Sequence, residues 1–154
     1  MVCFAVYPCF HPFANSFSNV DHFMSENGFV LYDLSTNRYT KKVLPGKFVY
    51  RIPAQTQTGQ VLWGDALFLR DYITLAEEGV HIPTIQIIKM ACIQEIFGLP
   101  DCAAELLITF REQISSDVDV DYCLDLLTKD MGLHKTYKSH IQKFNKNPEN
   151  FYPN

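Results

Sequence analysis

The stretch "GQVLWGDALFLRD" (59–71) puts an acid, Asp65, in the middle of an aliphatic and aromatic run. A carboxylate so placed must be held by backbone N–H groups or an arginine, or else face a polar pocket. Near the N-terminus, Cys9 and His11 stand close together. They lack a third group to orient them as a nucleophile–base pair. His11 alone has a pKa suited to taking a proton near neutrality. Cys3, Cys9, His11 and His22 are all metal-ligating types, but Cys3 falls in an apolar run and His22 in a helical one, at no known ligand spacing. "DVDVDYCLD" (117–125) resembles the opening of a calcium loop, yet Tyr122 stands where such a loop needs glycine and Thr128 where it needs glutamate. Its acids suit a helix N-terminus instead. "RYTKK" (38–42) reads as a solvated face, and Trp63 as core.

Composition narrows the classes. With 154 residues, 47% apolar and 14% aromatic, the chain has enough apolar surface for a real core. A net charge of −4 and a pI near 5.7 argue against a nucleic-acid or acidic-membrane surface. The five cysteines show no zinc-knuckle or dithiol spacing, so reduced thiols and a cytoplasmic location are expected. "MVCFAVYPCFHPFANSF" has no basic residues ahead of its apolar run, and Pro8 and Pro12 break it, so no signal peptide or membrane span is expected.

The elements that must position these residues follow from periodicity and punctuation. "VCFAVY" (2–7) predicts a buried strand ended by Pro8, and "SNVDHFMSENG" (18–28) a helix capped by Ser18 or Asn19 and stopped at Gly28. "FVLYDL" (29–34) and "QVLWGDALFLR" (60–70) predict two more strands. The polar connection between them holds a possible edge strand at 47–52. Helices are expected from Pro83 to Phe97, with Ile85, Ile88, Cys92 and Ile96 on its buried face, then over 98–114 and 118–131. The fold class is therefore α/β with a helical extension: a sheet portion over 1–73, helices over 80–145 and a frayed tail over 146–154.

Taken in order, "VCFAVYP", "CFHPFANSFS", "VDHFMSENGF", "GFVLYDL" and "GQVLWGDALFLRD" resemble the C-terminal part of the FkbM-type family of S-adenosylmethionine-dependent methyltransferases. "KMACIQEIFGLPDCAAELL" (89–107) is similar to the helical tail of some members. The resemblance implies a class I, Rossmann-like sheet in which 60–70 runs antiparallel between 2–7 and 29–34. It implies that the loop after 2–7 lines the acceptor side of the cleft, with His11 as the base and Tyr7 and Asp65 touching the substrate. The acceptor would be a small molecule or a glycan.

The glycine-rich turn that holds S-adenosylmethionine in such enzymes is missing from these residues, which contain no G-x-G. A strand of sheet-centre type starting at residue 2 also suggests a sheet cut before its cofactor half. The expectation is a fragment that binds no cofactor alone and works with a missing N-terminal half or a homodimer partner. A contrasting expectation is a non-enzymatic α/β module that binds a partner through an exposed sheet edge.

Overall fold

The computed structural model describes residues 2–5, 16–50, 55–130 and 136–151. They form a mixed α/β chain that separates into two compact units, Met1–Asp71 and Tyr72–Asn154.

The first unit is a three-stranded sheet with one helix. Its elements are β1 (Val2–Ala5), α1 (Phe17–Glu26), β2 (Phe29–Tyr39) and β3 (Gln60–Arg70). The sheet order is β1-β3-β2, and β3 runs antiparallel to both neighbours. β1 and β2 therefore point the same way with β3 between them, which is a split β-α-β arrangement.

α1 begins at Ser16, whose hydroxyl accepts from the Asn19 N–H at 3.3 Å. The cap thus lies earlier than the expected Ser18 or Asn19, and Phe17 becomes the first helical residue. At the other end Gly28 takes φ 75°, a left-handed value that stops the helix without a Cβ penalty. Phe17, Val20 and Met24 of α1 pack with Phe29 and Leu31 against Ala66 and Phe68 on one face of β3.

β2 runs five residues past the expected end at Leu34, through the polar "STNRY". Propensity does not call for a strand there; pairing with β3 carries it from Ser35↔Asp65 to Tyr39↔Gln60. Two irregularities, at Leu31/Asp33 and Asn37/Arg38, shift the register along the long pair. Of the expected edge strand over 47–52, residues 51 and 52 lie outside the described residues, and 47–50 form one isolated bridge, Phe48↔Thr56. Its segment hangs instead on Arg38, whose carbonyl accepts from the Thr56 N–H at 2.9 Å.

The second unit is helical: α2 (Tyr72–Glu77), α3 (Thr84–Ile96), α4 (Pro100–Thr109), α5 (Arg111–Ile114), α6 (Val120–Asp130), α7 (Tyr137–Lys146) and a closing 3-10 turn (Pro148–Phe151). Pro100 occupies the first position of α4, where its missing N–H costs nothing. Phe110 divides the single helix expected over 98–114 into α4 and α5. The Gln113 side-chain amide then donates to the Ile82 carbonyl at 2.7 Å, tying α5 to the segment before α3. Ile87, Ile114 and Leu124 are the largest fully buried side chains.

α3 departs from expectation in which face it buries. Ile87, Met90, Ala91 and Gln94 point inward, while Ile85 and Ile96 are 57% and 78% exposed and Cys92 is exposed. The helix is apolar on nearly every side, so two stripes compete for the core. Packing selected the one that periodicity did not. The tail also carries structure: the Phe151 ring meets the rings of His140 and Phe144 edge-on at 5.3 and 5.2 Å.

Candidate functional site

Tyr7 and His11 lie outside the described residues, as does Cys9. Asp65 lies in the middle of β3, opposite Cys3 of β1 on one side and Ser35 of β2 on the other. Strand alternation gives it the same face as Leu67 and Leu69, both buried, and Trp63. Asp65 is half-buried and makes an interaction of its own, so it is not a free carboxylate. Trp63 is 37% exposed, which corrects its reading as core. Asp65 thus marks the step along β3 from an open end at Gln60–Trp63 to a covered end beyond Gly64.

The basic stretch beside this sheet is partly structural. Arg38 Nη1 donates to the Gly59 carbonyl at 3.2 Å, pinning the end of the long connection to β2. Lys41 and Lys42 are exposed.

In the helical unit a cavity of about 530 Å³ gathers Asp101, Cys102 and Glu105 of α4 with Tyr137 and His140 of α7. Helical spacing explains the grouping, because residues three or four apart share a face. Sequence reasoning missed it, since only the packing of α6 and α7 brings "DCAAE" and "YKSH" together. α7 is seated by two local bonds. Thr136 caps it by accepting from the Ser139 N–H at 3.2 Å, and the Tyr137 N–H donates to Asp125 Oδ1 at 2.8 Å.

Burial pushes the Cys102 thiol up, and the charges of Asp101 and Glu105 push it further. It therefore rests as a neutral thiol and is a poor nucleophile. Among the described residues no lysine or arginine lines this concavity. Two carboxylates, a phenol and an imidazole among apolar walls suit the binding of cationic or hydrogen-bond-donating groups better than covalent chemistry.

The acids at the start of α6 act as helix-end charges. Asp119 Oδ1 accepts from the Tyr122 N–H at 3.0 Å, and Asp121 Oδ1 meets Arg111 Nη2 at 3.0 Å. Among the described residues no group of three His, Cys, Asp or Glu side chains is arranged to hold a metal ion. His22 is exposed on α1, 3.4 Å from Glu26. Cys92, Cys102 and Cys123 are free thiols. No helix among the described residues is long and apolar enough to cross a membrane. No family model, curated protein or solved structure matches the chain.

Proposed function

We propose that this chain is the acceptor-side portion of an FkbM-like, S-adenosylmethionine-dependent O-methyltransferase acting in the cytoplasm on a small molecule or glycan. The observation that carries the reading is the sheet order β1-β3-β2, with β3 antiparallel between two strands that share a direction. A Rossmann-like methyltransferase sheet closes in this way according to the resemblance. The same arrangement also serves other folds, so it supports the reading without carrying its chemistry.

Under this reading β1 receives, on its outer edge, the parallel strands of a cofactor-binding portion encoded outside these residues. The segment after β1 carries Tyr7 to orient the acceptor and His11 to take its hydroxyl proton. Asp65 contributes a polar group to the acceptor side. The methyl group passes from the sulfonium to the acceptor oxygen by in-line displacement, and proximity supplies most of the rate.

A second reading draws on the same edge. β1 is the terminal strand of the described sheet, with β3 on one side only. A strand from a partner, or from a second copy of the chain, would complete it by main-chain hydrogen bonds without any catalysis.

Titration with S-adenosylmethionine separates the two. The 154-residue chain is expected to give no binding. The chain lengthened by the coding sequence upstream of Met1 is expected to bind one to one, and His11→Ala in it to lose methyl transfer while keeping cofactor affinity. A lengthened chain that fails to bind, or upstream sequence without a glycine-rich turn, sinks the methyltransferase reading.

A further inference from the structure

The face of α3 left open by packing forms one wall of a groove. Between α3, α4 and α6 lies a concavity of about 330 Å³, walled by Ile88, Cys92 and Ile96, by Leu107, and by Cys123 and Leu126. Ile96 is 78% exposed and Leu126 39%. The apolar strip also continues beyond the concavity to Ile85, 57% exposed. From Ile85 to Ile96 this strip is roughly 16 Å long at 1.5 Å per residue. Its length fits an extended partner better than a compact solute.

Among the described residues, Glu95 is the one acid or base other than the thiols to line the groove. Its Oε2 is shielded from water and has no hydrogen-bond partner among the described residues. A carboxylate oxygen in apolar surroundings without a donor is costly, and a cation brought into the groove removes that cost. The occupant must therefore be apolar along one side and carry a positive charge within that side.

We propose that this groove docks an amphipathic α-helix of a partner protein, with apolar side chains against Ile88, Ile96 and Leu126 and one lysine or arginine paired with Glu95. Apolar anchors at helical spacing provide the contact area, and the Glu95 pair fixes register and direction. The inference stands apart from the methyl-transfer reading, since the groove lies wholly within the helical unit.

The test uses the full chain and a fluorescein-labelled designed helix of roughly 15 residues, long enough to hold helix on a surface. It carries leucines at i, i+3 and i+7 and one lysine within that face; a twin has glutamate for the lysine. The lysine peptide should bind saturably, about tenfold tighter than its twin. Glu95→Lys should reverse the order. Ile96→Asp, at an exposed position, should abolish binding while leaving the circular dichroism unchanged. Bound peptide should slow alkylation of Cys92 and Cys123 but not of Cys102, which lines the other cavity. Absence of saturable binding, equal affinity for the two peptides, or protection of Cys102 alone overturns the proposal. So does a chain that is dimeric by itself and made monomeric by Ile96→Asp, because a second copy would then own the groove.

Discussion

Gly59 lies against the backbone of Tyr39 so closely that a β-carbon placed on it would meet the Tyr39 carbonyl oxygen at 2.5 Å. It also takes φ 115°, outside the range of other residues. Both conditions arise because the long connection re-enters β3 directly beside the end of β2. Gly59→Ala therefore adds a clash to backbone strain and should cost about 3 kcal/mol. Gly28→Ala, at φ 75° with nothing within 4 Å, meets only the strain and should cost about 1 kcal/mol. Urea midpoints of the two variants decide the matter. Equal shifts would mean that the approach to Tyr39 relaxes freely.

Phe68 is 5% exposed beneath α1, whereas Trp63, five positions earlier on the same strand, is 37% exposed. Phe68→Ala opens a cavity against Val20, Met24 and Leu31 and should cost about 3–5 kcal/mol. Trp63→Ala should cost clearly less despite the larger side chain. A tryptophan substitution as damaging as the phenylalanine one would contradict this account of where the sheet's core lies.

These residues also show what the sequence could reveal. The 60–70 strand was legible to the residue because it is a dense apolar run between Gly59 and Asp71. The stop at Gly28 was legible from glycine chemistry. The extension of β2 through Arg38 was not, because only the opposing strand makes "STNRY" extended. α3 hid its inward face for a related reason: with isoleucines on all sides, local pattern has no vote, and the neighbours choose. The cavity of Asp101, Glu105, Tyr137 and His140 joins residues over thirty positions apart, a distance periodicity does not span. Of the site read from the sequence, Asp65 alone falls within the described residues; it stands mid-strand and already engaged.

Asp121 should titrate below the ordinary aspartate value. Its hydrogen bond with Arg111, and then the charge of that guanidinium, favour the ionised form. A folded pKa below the unfolded one gives a contribution that is present above the unfolded value of about 4 and lost as pH falls through the folded one. The pair is open to solvent, so the contribution is small and shrinks with salt. A carboxyl NMR titration should show Asp121 returning upward in Arg111→Gln. An unchanged midpoint in that variant would remove Arg111 as the cause.

The thiols should separate by reactivity in an order set first by burial. Cys92 is exposed, while Cys102 and Cys123 are half-buried. Burial raises both half-buried thiols. Asp101 and Glu105 add to the effect at Cys102, as do Asp119 and Cys92 at Cys123. Only the thiolate attacks an alkylating agent, so a raised pKa moves the rate-versus-pH curve to higher pH. At pH 8, iodoacetamide should therefore label Cys92 before the other two. Asp101→Asn should move the Cys102 curve downward, and only partway, because burial remains. Mass-spectrometric rates across pH 7 to 10 check both points. A Cys102 curve unmoved by Asp101→Asn would remove Asp101 as a cause and leave burial and Glu105, and labelling of Cys102 ahead of Cys92 would mean that α7 does not cover its cavity in solution.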